Sequence, residues 1–161
     1  MKIIVPIGIS GSGKSRLYKM RYSELALVSP DLIRKELTGS ISDQTKNREV
    51  FQRVDRLVEQ LVKEKRSFFY DATNVNTEYR KKFTDQFRGM EDVEIVYVIL
   101  PADTNVSFKR IKNDLRNKVD RAAVPGYVLS RQLGMYNHSL KTNFEGENVQ
   151  EIIYIKPGEL D

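Results

Sequence analysis

The 161-residue chain has no cysteine and a single histidine, His138. A disulfide framework and any thiolate metal site are therefore excluded, as is a zinc motif that needs two imidazoles. No apolar run approaches the roughly 20 residues that span a bilayer, and the opening MKIIVPIG is too short and wrongly flanked for a signal peptide. Internal repeats, low-complexity tracts and Pro/Gly-rich linkers are also missing, so we expect one domain over residues 1–161. A chain of this size can bury roughly 70% of its unfolded surface. These absences point to a soluble protein of a reducing compartment, the cytoplasm. Positive charge is in excess: 27 Lys+Arg against 22 Asp+Glu gives +5, which favours an anionic partner without requiring one. The excess is local. Residues 109–131 carry Lys109, Arg110, Lys112, Arg116, Lys118, Arg121 and Arg131 against Asp114 and Asp120.

Five short apolar runs read as strands: IIVPI at 3–7, LALVS at 25–29, SFFY at 67–70, EIVYVIL at 94–100 and EIIYI at 151–155. Short, nearly continuous apolar runs suit parallel strands covered on both faces. Helical patterns lie between them. Over 45–65, Val50, Val54, Leu57, Val58, Leu61 and Val62 form an apolar stripe among charges. Tyr79, Phe83 and Phe87 recur at i, i+4 and i+8. This alternation predicts an α/β fold, a sheet of about five parallel strands with helices on both faces. In such a sheet ligands bind at the C-terminal strand ends, so the segments after each strand carry the functional reading.

GISGSGKS follows the first strand and fits G-x-x-x-x-G-K-[ST], with a helix bearing Leu17, Tyr18 and Met20 expected next. Glycine lets backbone N–H groups turn inward around phosphates without a Cβ clash. Gly11, Ser12, Gly13, Lys14, Ser15 and Arg16 are thus candidates for binding ATP or GTP. Lys14 brings a point charge to the β/γ-phosphates, Ser15 offers a hydroxyl to Mg²⁺, and the helix N-terminus adds its positive end.

VSPDLIRKEL at 28–37 reads as a helix start, Ser29 capping and Pro30 at the first helical position. Asp31 and Arg34 then have two readings. They are an acid favoured in a first turn with its i, i+3 partner, or a base for an acceptor hydroxyl beside a cation for an acceptor anion. After the third strand, Asp71 stands where an Mg²⁺-binding acid would sit, and Thr73 and Asn74 can donate to an acceptor. The local alternative makes Asp71 a turn cap and Asn76 or Thr77 the cap of the next helix; for Asn76 we adopt that reading. Arg80 reads as a solvated charge. In the basic segment, Phe108, Ile111, Leu115 and Val119 keep helical spacing, so the cations are either a wet helix face or an Arg-rich lid over about 109–125. For the lid, Arg110 and one of Arg116 or Arg121 are the candidates.

Taken in order, GISGSGKS, the D-x-x-R of Asp31 and Arg34, DATN at 71–74, KR at 109–110 and AVPGYVLSRQLGMY at 123–136 resemble the kinase domain of T4-phage-type polynucleotide 5′-kinases, over about residues 1–140. The resemblance implies a P-loop kinase fold with ATP and Mg²⁺ as cofactors. It implies nucleic-acid 5′-OH ends as partners and a phage protein in the host cytoplasm. By it, Asp31 is the general base on the ribose 5′-hydroxyl, and Arg34 and Thr73 grip the acceptor's 3′-phosphate. Lys14, Arg110 and a second lid arginine act on the transferring phosphate. The stretch from Arg110 to Pro125 is longer than the family leads us to expect, so Arg116 and Arg121 compete for one role. Residues 1–161 also leave no room for the phosphatase domain often fused to such kinases. A P-loop kinase for a small acceptor, or an acceptor-free NTP-hydrolysing switch, is the competing expectation.

Overall fold

The computed structural model describes residues Met1–Asp161. Five strands, β1 (Lys2–Ile7), β2 (Ala26–Val28), β3 (Phe68–Tyr70), β4 (Glu94–Ile99) and β5 (Glu151–Tyr154), form one sheet in the order β2-β3-β1-β4-β5. Every pairing is parallel: Ile3 stands beside Phe68 on one side and Ile95 on the other. The strand order reverses at β1, and this switch point opens the crevice in which the P-loop lies.

Alternation of side chains divides the core into two layers. Ile3, Val5 and Ile7 of β1 join Ile95, Tyr97 and Ile99 of β4 in the larger cluster. Ile4, Val96, Val98 and Leu100 face the other way, with Leu17 and Phe69. The larger layer is covered by α2 (Pro30–Thr38), α3 (Asn47–Lys63) and α6 (Gly126–Lys141), α3 supplying Val50, Val54, Val58 and Leu61. The smaller layer is roofed by α1 (Lys14–Leu17), the π-helical turn Tyr18–Tyr22 that continues it, and Ile155 and Leu160. α4 (Thr77–Asp85) and α5 (Thr104–Arg116) complete the fold.

Three helical expectations are corrected. The helix expected to bear Leu17, Tyr18 and Met20 is α-helical for one turn only and continues as the π-helical turn, with Leu17 buried and Met20 exposed. Of the stripe Tyr79, Phe83 and Phe87, Phe87 is buried and Phe83 packs against the core, but Tyr79 is 73% exposed and the buried residues of α4 are Arg80 and Thr84. On α5 the buried residues are Ser107 and Ile111, leaving Phe108 and Leu115 half exposed, as is Val119 beyond the helix end. The cause on α5 is the close approach of the P-loop. Gly11 has φ +76°, and a Cβ there would stand 2.9 Å from the Ser107 carbonyl oxygen, so only small groups fit at that crossing. Apolarity marks which residues can be buried; here a backbone contact decides which face is.

Candidate active site

Helix α1 starts at the C-terminal end of β1, on Gly13, whose φ of +105° is left-handed and suits glycine alone. That turn aims the first backbone N–H groups of α1 into a cavity of about 460 Å³. Its walls are the P-loop residues Ser10 to Arg16, Asp31 from α2, Asp71, Ala72 and Thr73 after β3, Arg110, Asp114 and Arg121 from α5 and the loop beyond it, and Leu160 and Asp161. Every residue expected to hold the donor phosphates, Gly11, Ser12, Gly13, Lys14, Ser15 and Arg16, lines it. Ser10 N donates to Gln132 Oε1 at 2.8 Å, tying the loop to α6, an anchor with no sequence signal.

Lys14 Nζ donates to the carbonyls of Ile9 (2.9 Å) and Gly8 (3.3 Å). Its removal from water lowers the ammonium from 10.5 to about 8; Asp71 and Asp31 oppose that fall and Arg121 adds to it. The Asp71 carboxyl is pushed above the usual range, chiefly by burial, and Lys14 pulls it back. The site therefore holds partly desolvated charges of both signs facing one space. Two buried polar atoms in its wall, Ser12 Oγ and Arg121 Nε, have no hydrogen-bond partner in the protein. Buried polar atoms without a partner are rare in folded chains and mark this wall as one that is not fully satisfied by the protein alone.

At the start of α2, Ser29 Oγ accepts from Leu32 N at 3.3 Å and Pro30 opens the helix, as expected. Asp31 lines the cavity with its side chain 65% exposed, and Arg34 Nη1 donates to its Oδ1 at 2.7 Å. The two readings of this pair thus coexist: it is an i, i+3 ion pair and its acid faces the site. Arg34 itself does not line the cavity. It is buried, its Nε is taken by Asn47 Oδ1 (3.1 Å), and Nη2 has no partner.

The Asp71–Asn74 loop is welded to β1. Gly8 N donates to the Thr73 carbonyl at 3.0 Å and Asp71 N to that of Val28 at 2.8 Å. Asn74, expected to donate to an acceptor, is corrected: left-handed at φ +54°, it spends its Nδ2 on the carbonyls of Pro6, Ala72 and Tyr70 and does not reach the cavity. Asn76 caps α4 through Tyr79 N at 3.1 Å. Arg80 is the clearest correction. It is no solvated charge but fully buried, its Nε and Nη2 held by Glu147 at 2.7 and 2.8 Å and its Nη1 donated to the Asn74 carbonyl at 2.7 Å.

On the basic side, Arg110 donates to the Gly11 carbonyl at 3.2 Å, and Arg121 pairs with Asp114 at 2.7 Å. Both line the cavity; Arg116, exposed at the end of α5, does not. Asp114 was missed because a lone acid in a basic helix reads as a surface partner.

Residues 3–138 match the family described as AAA domain. The chain belongs to that family. Solved structures with the same fold as this AAA domain include a chain of the Pnkp1/Rnl/Hen1 complex, with a TM-score of 0.58 and 23% identity over 68% of this chain and 38% of that one. A putative kinase from Chloroflexus aurantiacus has a TM-score of 0.60 at 12% identity, covering 96% and 84% of the two chains. A gluconokinase from Sinorhizobium meliloti has 0.54 at 18%, covering 96% and 81%. The chain thus spans well under half the length of the first of these. No curated protein matches it significantly. The fold of this AAA domain is that of the P-loop kinases, which implies ATP binding at the loop just described. No helix is long and apolar enough to cross a membrane.

No three His, Cys, Asp or Glu side chains gather into an all-protein metal site. The Ser15 hydroxyl and the Asp71 carboxylate, both on the cavity wall, are oxygen donors of the kind Mg²⁺ takes when nucleotide phosphates and water complete its shell.

Proposed function

We propose that this protein transfers the γ-phosphoryl group of ATP to the 5′-hydroxyl of DNA or RNA ends. The observation that carries the reading is Asp31, a carboxylate at the start of α2 that faces the P-loop cavity and is 65% exposed. An acid so placed can take a proton from a hydroxyl carried by a long chain that continues into solvent. Asp31 is the base. As the acceptor oxygen bonds to the γ-phosphorus and the bond to the ADP oxygen breaks, Asp31 receives the hydroxyl proton. Lys14, Arg110 and Arg121, which line the cavity, hold the charge on the transferring group. Ser15 and Asp71 would hold Mg²⁺, which would supply charge neutralisation to the phosphates. By the resemblance, Arg34, through the Nη2 that has no partner in the protein, and Thr73 would grip the phosphate 3′ of the reacting sugar. The resemblance supports nucleic acid over other polymers, in a cytoplasmic, phage-derived setting and in end repair. Residues 1–161 act as one kinase domain with its lid at about 109–125.

The likeness to a gluconokinase over 96% of the chain keeps a small acceptor as the second reading. The two are separated by kcat/KM for thymidine, its 3′-monophosphate and a short 5′-OH oligonucleotide at two salt concentrations. A hydrogen bond to a charged group contributes about 1.5–3 kcal/mol, so thymidine, which lacks the 3′-phosphate, is expected to be about 10–150-fold poorer than the other two. Oligonucleotide binding weakens with salt as the basic rim displaces counterions. Thymidine equal to or better than both overturns the polynucleotide reading.

A further inference from the structure

The most deeply buried charges in the molecule belong to neither the donor nor the acceptor site. Arg80 and Glu147 are 0% and 1% exposed and joined by two hydrogen bonds, Nε to Oε1 at 2.7 Å and Nη2 to Oε2 at 2.8 Å. Tyr97 Oη, from the centre of β4, donates to Glu147 Oε1 at 2.7 Å. The guanidinium lies 5.1 Å from the Phe144 ring centroid and 5.7 Å from that of Tyr97. An ion pair this dry is a poor stabiliser, because removing both charges from water offsets most of their attraction, and a well-packed apolar pair often serves as well. Its geometry offers another use. The remaining nitrogen, Nη1, donates to the Asn74 carbonyl at 2.7 Å.

We propose that Arg80, locked by Glu147, is a positioning residue that fixes the Asp71–Asn74 loop against β1 and so sets where Asp71 and Thr73 stand in the cavity. The inference rests on the proposed function for what those two residues do there, but not for the loop's fixation. Asn74 is the hinge of the argument. Its left-handed backbone is one that asparagine adopts more readily than other residues with a Cβ, and contacts hold the residue through both its side chain and its carbonyl. The side chain is bonded to Pro6, Tyr70 and Ala72, and the carbonyl to Arg80. One residue earlier, the Thr73 carbonyl accepts from Gly8, the first residue of the P-loop. The guanidinium therefore acts through Asn74 on a segment shared by the acceptor side and the phosphate loop. It touches neither substrate.

The test uses Arg80→Lys, which keeps a cation for Glu147 but lacks the fork that reaches Asn74 at the same time. The double variant Arg80→Met/Glu147→Leu, which removes both buried charges together, is its companion. Amide exchange at residues 71–75 and thermal stability are measured without substrate, then kcat and KM for ATP and for the best acceptor. We expect both variants to fold and exchange at 71–75 to rise about tenfold or more relative to α3. We expect kcat to fall about 10–100-fold, as for a misplaced reacting group, with KM for ATP nearly unchanged. Exchange at 71–75 unchanged in a folded variant overturns the proposal, as does a kcat loss that only follows lost stability. Should Arg80→Lys fail to fold, the double variant decides by the same readings; collapse of both overturns the positioning role in favour of a structural one. Failure of the wild type to phosphorylate any 5′-hydroxyl end is a different result. It sinks the polynucleotide reading and leaves the exchange arm to judge the loop.

Discussion

Two arginine–carboxylate pairs serve the candidate site from opposite sides, and they are held very differently. Arg80–Glu147, under the Asp71–Asn74 loop, is 0% and 1% exposed and joined by two hydrogen bonds. Arg121–Asp114, on the basic side, is 24% and 36% exposed and joined by one at 2.7 Å, with Arg121 Nε unpartnered. Separating the first pair inside the protein leaves uncompensated buried charge. Separating the second exchanges one half-solvated contact for another, at about 1 kcal/mol or less. On the proposed reading the Asp71–Asn74 loop is fixed before any substrate arrives, and the arginine expected to meet the transferring phosphate keeps the freedom to leave its carboxylate for a better anion. A kinase needs both properties: a preset geometry for the attacking group and cations that gather where charge develops.

The comparison is sharpened most by the residues both sides converge on. Asp31→Asn is expected to lower kcat about 10²–10⁴-fold with ATP affinity kept, and Lys14→Ala to abolish measurable transfer with the fold intact by circular dichroism. A silent Asp31→Asn returns Asp31 to its local role in the first turn of α2. Next in size is the contrast itself. Arg80→Met strands Glu147 and should lose about 3–5 kcal/mol in urea unfolding, whereas Asp114→Ala should lose less than about 1; equal losses break the comparison. Third, Arg121→Ala should lower kcat about 10²-fold, as for one transition-state donor, and Arg116→Ala by less than about threefold. The reverse order would make Arg116 the second lid arginine.

The smallest effect is in pH. Lys14 titrates at about 8 in the folded chain against an ordinary 10.5, because the loop removes it from water. Between those values the unfolded chain holds a proton that the folded chain has released, so the stability tied to this group rises with pH across that window. Only the charged form serves the phosphates. ATP affinity should therefore fall above pH 8, by no more than about tenfold per unit, while Lys14→Arg stays flat to pH 10; calorimetry at pH 7, 8 and 9 checks it.

Much of this was legible in sequence, and the misses share a cause. The strands were found nearly to the residue because each is apolar on both faces. Ser29, Pro30, Gly13 and Asn76 announced helix starts through local chemistry that needs no partner elsewhere. Arg80 was misjudged because its partner Glu147 is 67 residues away. Asn74 was misjudged because its carbonyl contact at Pro6 lies 68 residues back, and Phe108 because a glycine of the P-loop, not an apolar neighbour, chose the buried face of α5.

The sequence by itself determined the parallel α/β plan and the phosphate loop. Each depends on a period, a cap or a glycine that acts within a few residues of itself. Only the tertiary structure decided which charges do what. It put Arg121 rather than Arg116 in the cavity, joined buried Arg34 to Asn47, and drew Arg80 inside. A charged side chain carries no mark of its burial; its state is set by the partner that replaces its water, and that partner comes from elsewhere in the chain.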